Sequence, residues 1–352
     1  MRRDRPAGAP QGRSAGDPAG WAADGASGAA PGAAAGGRGL AVALTVIGLL
    51  AAASLGIGVA ELDMRAILHD PAAQLLFWVS RLPRTAAVLL TGASMAVAGV
   101  IMQVIARNRF AEPTTAGTAQ GAALGLLAVT ILAPASPLAL RMIVASVAAL
   151  ATTALFLVIV RRLPPTQPLM VPLVGLVYGG ILGAAETFIA YRLDLIQYLG
   201  TWMNGEFSGV IAGRYELLWI SGLTAVAAYL AADRFTIASL GRDASLGLGL
   251  NYGTVVALGL IVVSVITALV VTTVGMIPFV GLVVPNLVAR VMGDNLRRTL
   301  PWVAVTGAGL VLACDMLGRL IRYPYEIPVG TVFGTLGAGL FLWLLLREPR
   351  HG

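Results

Sequence analysis

Between Leu40 and Leu346 one apolar run follows another, each near the roughly 20 residues that carry a helix across a bilayer. Ten runs fit the pattern, at approximately 40–60, 85–105, 114–133, 138–160, 169–190, 215–232, 254–274, 277–292, 301–320 and 329–346. Lipid offers no water to backbone N–H and C=O groups, so such a chain is confined to helices that close their own hydrogen bonds. Only 12% of the residues are charged and 57% are hydrophobic, whereas about a quarter of a soluble domain is charged. The expectation is an all-α integral membrane protein with about ten transmembrane helices in one domain, 40–347. Residues 1–39, rich in Gly, Ala and Pro, read as a disordered cytoplasmic tail, and 348–352 as a short cytoplasmic tail. The Arg2-Arg3 pair stands far from the first apolar residue, so the first span reads as retained rather than cleaved.

Every one of the 24 basic residues is arginine. A phosphate-binding loop of the G-x-x-x-x-G-K-[ST] type needs a lysine, so any ATP dependence has to come from a partner. The net charge of +7 is spread singly or in pairs between apolar runs, which is a topology signal and not a nucleic-acid surface. Arg107, Arg109, Arg161, Arg162, Arg234, Arg242, Arg297, Arg298, Arg347 and Arg350 fall on one side, which places that side, and both termini, in the cytoplasm. The other side holds Arg65, Arg81, Arg84, Arg192, Arg214, Arg319 and Arg322. Cys314 is the sole cysteine, and the two histidines, His69 and His351, are too far apart for a metal site. No cofactor is expected, and iron, if handled, arrives already chelated. Glycines spaced by four at Gly117, Gly121 and Gly125, at Gly175, Gly179 and Gly183, and at Gly330 and Gly334 read as close helix-packing faces.

Four segments carry a family likeness. They are Arg81-Leu82-Pro83-Arg84 with Gly92 to Gly99 and Gln103; Arg107 to Thr118; Leu240 to Gly249; and Gly275 to Asn286 followed by Arg290, Gly293-Asp294 and Glu326 to Gly330. In order and spacing they resemble the ten-helix, BtuC-like permeases of ferric siderophore and vitamin B12 ATP-binding-cassette importers, from about residue 40 to the C-terminus. Asn108-Arg109-Phe110 stands where most of that family shows Asn-Pro-Leu, and Pro285-Asn286 where it shows Pro-His. With Gly205-Glu206-Phe207-Ser208, these departures look like the branch serving catecholate or mixed citrate-catecholate siderophores such as petrobactin.

The resemblance implies roles for particular residues. Arg81, Arg84 and Arg319 match positions at which the family docks a siderophore-loaded external binding protein through carboxylate pairs. The stretch 238–251, including Arg242, Asp243, Ala244, Leu246, Gly247, Leu248 and Gly249, matches the short helices that seat in an ATPase subunit. Its glycine breaks agree with two short helices. Asn108 and Phe110 match the lower gate, and Met95 and Gln103 the helix lining the pathway. The implied assembly has two ATPase subunits, a second permease subunit in a heterodimer, and one binding protein in the bacterial plasma membrane. The chain itself would be a non-catalytic subunit. Glu186 and Asp315 are intramembrane carboxylates; they read as structurally paired, Asp315 with Arg319, or alternatively as the relay of an ion-coupled secondary transporter.

Overall fold

The structure, a computed structural model, describes residues 33–58, 69–114, 117–160, 162, 170–293 and 295–346. Of the expected tails over 1–39 and 348–352, residues 1–32 and 348–352 lie outside the described residues, while 33–39 are not irregular but form the start of the first helix. The chain divides into two units, Met1–Val42 and Ala43–Gly352.

Among the described residues all regular structure is helical: α1 Ala33–Gly56, α2 Pro71–Leu76, α3 Leu82–Ala106, α4 Thr118–Leu132, α5 Leu138–Val160, α6 Met170–Arg192, α7 Ile196–Met203, α8 Leu218–Leu230, α9 Ala232–Ser239, α10 Arg242–Gly247, α11 Tyr252–Val274, α12 Val280–Met292, α13 Leu296–Ile321 and α14 Val329–Leu346. Six stretches are long and apolar enough to cross a membrane, and four shorter apolar helices, within α4, α8, α12 and α14, add to them. Six plus four gives the ten spans anticipated from hydropathy. The second span is the longest because Asp70 caps α2 by accepting from the Ala72 N–H, Pro71 starts the helix, and a π-helical turn at Phe77–Arg81 feeds α2 directly into α3.

Burial separates the centre from the periphery. The Pro71–Ala106 span is 72% buried and α11 67%, whereas the lipid-length part of α1 is 6% buried. A helix apolar all round needs either protein or lipid on every side, so α3 and α11 are the core and α1 is a surface helix. The main core joins α3, α8, α11, α12 and α13 around Val88, Ile101, Val263, Ile266, Val284 and Leu312. A smaller core joins α4, α5 and α11 around Ala122, Ala145 and Ala268.

Small residues set the helix separations. A Cβ on Gly121 would lie 2.0 Å from the Thr152 hydroxyl, and one on Gly125 2.8 Å from Ala148, so this ladder packs α4 on α5. Gly183, by contrast, has nothing within 4 Å. Two glycines seven apart on α3 make close backbone approaches to neighbouring helices. Gly92 meets Gly307 of α13, where a Cβ would fall 2.5 Å from the carbonyl oxygen, and Gly99 meets Gly281 of α12, where it would fall 2.0 Å away. A spacing of seven repeats one helix face after two turns, so α3 is the surface on which α12 and α13 are registered. Because the obstacle at Gly99 is backbone and not a movable side chain, Gly99→Ala should cost about 1–3 kcal/mol. The expected result is a lower thermal unfolding midpoint in detergent, and an unchanged midpoint would contradict the packing described.

Candidate functional site

Three of the arginines expected to face outward converge at the end of the bundle where α3 begins. Asp315 on α13 is fully buried between two of them: Arg84 Nη2 lies 2.8 Å from its Oδ1 and Arg319 Nη2 2.6 Å from its Oδ2. Arg84 also donates through Nη1 to both oxygens of Glu326 at 2.8 Å. Arg319 Nη1 donates to the carbonyls of Ser54 and Ile57, and its Nη2 to the Ser54 hydroxyl. Arg81 donates to the same Ile57 carbonyl. The network therefore ties the end of α1, the start of α3, the end of α13 and the segment before α14. Arg81 and Arg319 are buried, and Arg84 keeps 14% of its side chain exposed. Beside them Arg322 lies over the exposed ring of Tyr325 at 5.8 Å.

At the opposite end, α3 stops with Arg107 in the left-handed region at φ 50°, its N–H turned back to the Gln103 and Val104 carbonyls. The Asn108 side-chain oxygen then accepts from the Phe110 N–H at 2.7 Å. That bond closes an Asx-type turn, so the turn survives with Arg109 at the position where the family commonly has proline. Phe110 meets Phe341 of α14 edge to face at 5.8 Å, and Phe341 stacks on Phe279 at 6.4 Å. Gln103 donates to the Gly281 carbonyl, and Asn286 donates to the carbonyls of Arg109 and Leu282. The two departures from the common family pattern, at 109 and 286, are thus in direct contact. A cavity of about 360 Å³ opens beside them, lined by Gln103, Arg107, Asn108, Arg109, Asn286 and neighbouring residues of α13.

Glu112 joins the same cluster although the sequence reading assigned it no role. It is buried and lies near Thr114 and the backbone of Phe279 and Gly281, at the first turn of α12. Phe279 is held at φ 68°, ψ −9°, a left-handed conformation that costs a residue with a Cβ about 1–2 kcal/mol.

The expected pair of short helices is α9 and α10, broken at Gly241 with φ 103°. Ser245 is buried and donates to Ile237 and Gly241, locking α10 onto α9. Leu240, Leu246 and Leu248 stand out at 62%, 54% and 63% exposure. Arg107 lies beside Gly241, where a Cβ would come within 3.2 Å of its guanidinium. The segment containing Arg242, Asp243, Ala244, Leu246, Gly247, Leu248 and Gly249 therefore abuts the turn that ends α3.

The structure gathers Gln103, Asn108 and Phe110 at one end of α3. Met95 is 1% exposed and packs in the core instead. Glu186 on α6 is buried at 2% exposure, with one carboxylate oxygen lacking a hydrogen-bond partner among the described residues. Glu112 and Glu326 were the residues missed. The available signal was that both are carboxylates inside the family-like segments.

This arrangement coincides with a known family, since residues 43–347 match the FecCD transport family. The chain belongs to that family. It is 48% identical over 306 residues to the petrobactin import system permease protein YclN of Bacillus subtilis, covering 86% of this chain and 96% of that one. It is 41% identical over 271 residues to the ferric-anguibactin transport system permease protein FatD of Vibrio anguillarum, covering 77% and 86%. A solved transporter described as of metal-chelate ABC type, in an inward-facing conformation, superposes with a TM-score of 0.76 at 25% identity, covering 89% of this chain and all of that one. The BtuC-like permease fold and the likeness to the petrobactin branch, both read from the residues, are borne out.

Asp315 is the residue whose loss should be felt most. Asp315→Asn leaves two guanidinium groups in a buried site without their shared charge, and breaking a buried pair in this way costs about 3–5 kcal/mol. Thermal unfolding of the purified protein should show that loss, whereas an unaltered midpoint would mean that the network is not structural.

Proposed function

We propose that this protein is the membrane permease subunit of an ATP-driven importer for ferric siderophores of the catecholate or mixed citrate-catecholate type. The observation that carries the reading is the 48% identity to a petrobactin permease across nearly its full length, in a chain that has no lysine for a phosphate loop of its own. In this reading α3 runs from the outer face of the bacterial plasma membrane to the cytoplasm, and both termini are cytoplasmic. Two ATPase subunits take the α9–α10 segment, a second and different permease subunit completes the pathway, and an external binding protein delivers the siderophore.

The arginine-rich end is the docking surface, built on Arg81, Arg84 and Arg319. The partly exposed pair of Arg84 with Glu326 suits exchange with a carboxylate-bearing partner, because guanidinium forks give bidentate, reversible pairs. Arg84 would exchange the partly exposed Glu326 for the partner's carboxylate, while Arg81 and Arg319 keep the frame. At the other end Asn108 and Phe110 form the exit gate. Arg107 against Gly241 offers a short mechanical path from the ATPase-facing helices to that gate, in the manner of a rigid element biasing a two-state bundle.

A proton-coupled carrier would need a carboxylate free to gain and lose a proton, and Asp315 is held between two guanidinium groups. Glu186 would have to act alone.

Proteoliposomes holding the chain with its ATPase and second permease should accumulate radioiron siderophore when ATP and binding protein are supplied. Uptake that survives ATP removal and collapses with an uncoupler would overturn the proposal in favour of the carrier. Leu246→Asp with Leu248→Asp changes only exposed side chains, so the fold should persist. Co-purification of the ATPase should be lost, and retention of the ATPase would remove the α9–α10 docking role.

A further inference from the structure

We propose that Asn286 and Gln103 are positioning residues of the exit gate, which together clasp α12 to the turn that carries Phe110. The inference rests on the gate reading above. It adds the two side chains that aim the gate and a use for the proline inside α12.

The turn does not settle its own aim. The Ala111 N–H donates to the Asn108 carbonyl at 3.2 Å, which closes a four-residue β-turn with Arg109 and Phe110 at its centre. A proline at the first central position would preset the backbone there; Arg109 does not. The peptide between Arg109 and Phe110 is the one that turns over when a turn changes type, and its rotation re-aims the Phe110 ring. Here that peptide is tied at both ends. Its N–H donates to Asn108 Oδ1 at 2.7 Å, and its carbonyl accepts from Asn286 Nδ2 at 2.9 Å. The same Asn286 nitrogen also donates to the Leu282 carbonyl, one turn back in α12, at 2.7 Å. Both amide hydrogens are then used, and the side chain that grips the turn is itself fixed to its helix.

The other point of the clasp runs in the opposite direction. An α-helical carbonyl accepts from the N–H four residues on, and for Gly281 that residue is Pro285, which has none. The Gly281 carbonyl is thus left for another donor, and Gln103 Nε2 takes it at 3.2 Å. Gln103 stands one turn from Gly99 on the same face of α3. Gly281 lies directly against Gly99, so the helix contact delivers the carbonyl to Gln103. One bond therefore fastens α3 to α12 just before the turn, and the other fastens the centre of the turn. Gln103, Asn108, Arg109 and Asn286 also line the cavity of about 360 Å³. Dense packing resists displacement, but beside a cavity the turn has room to shift, so the two bonds carry the positioning.

A leak assay with a combined-variant arm separates positioning from plain stability. The full transporter complex is reconstituted in liposomes loaded with calcein and given no ATP. Asn286→Leu and Gln103→Leu, each of which removes the donor, should release the dye about fivefold faster than the unaltered complex, the factor that one net hydrogen bond contributes to an equilibrium. Phe110→Ala removes the ring and should leak by itself. Adding Asn286→Leu or Gln103→Leu to Phe110→Ala should raise release no further, because both act through Phe110, whereas a general loosening of the bundle would add leak with or without the ring. The two positions lie on different helices and are altered separately, so the second decides the matter if the first fails to assemble. A clasp variant that assembles and releases dye at the unaltered rate, beside a leaking Phe110→Ala complex, overturns the proposal and leaves the gate reading standing. Further leak on top of Phe110→Ala overturns it too. A Phe110→Ala complex that does not leak removes the gate reading and the clasp with it.

Discussion

A helix that begins inside a lipid-embedded bundle brings unpaired N–H groups to a place where water cannot reach them. α12, only 13 residues long, begins against the middle of α3 at the Gly99–Gly281 contact. A buried carboxylate from another part of the chain, Glu112, lies beside that first turn. Much follows from this constraint. The turn after α3 packs against α12 there, through Pro113 on Gly281 and through Asn286, which donates to the Arg109 carbonyl. The turn carrying Asn108 and Phe110 is thereby anchored to α12.

The two ends of α3 solve opposite electrostatic problems. Where it begins, charge is concentrated: Asp315 is fully buried and is stable there because Arg84 and Arg319 neutralise it from two sides, while carbonyls at the end of α1 take the remaining donors. Buried ion pairs contribute little net stability, since desolvation offsets attraction, but they are costly to break. Such a network suits a junction of four chain segments that must keep one geometry. Where α3 ends, contacts are aromatic and amide-mediated, with single hydrogen bonds from Gln103 and Asn286. Contacts of that kind can be exchanged at lower cost, which suits the gate role proposed for this end.

The membrane class and the ten spans were legible in the one-dimensional pattern because hydropathy adds up residue by residue along the chain. The α9–α10 break was legible for a similar local reason: Gly241 and the glycines after it punctuate an otherwise helical stretch. The family-like segments also picked out residues that the fold brings together: Arg81, Arg84 and Arg319 converge, and Asn108 and Phe110 share one turn. Less legible was how each side chain is used. Arg319 reads in sequence as a surface cation four residues from Asp315, yet it is buried and spends its donors on Ser54 and Ile57, more than 260 positions away. Met95 reads as a pathway residue and lies in the core.

By itself the sequence determined that this chain lives in lipid, crosses it about ten times, and has no lysine with which to hold a nucleotide phosphate. Those properties depend on residue type and local order alone. Only the tertiary structure decided that Glu112 lies beside the start of α12, that residues 109 and 286 touch, and that the arginines turn inward. Such pairings depend on the rotation and depth of one helix against another. That register is set by glycine contacts such as Gly92 with Gly307 and Gly99 with Gly281, whose partners lie too far along the chain for any local pattern to reveal.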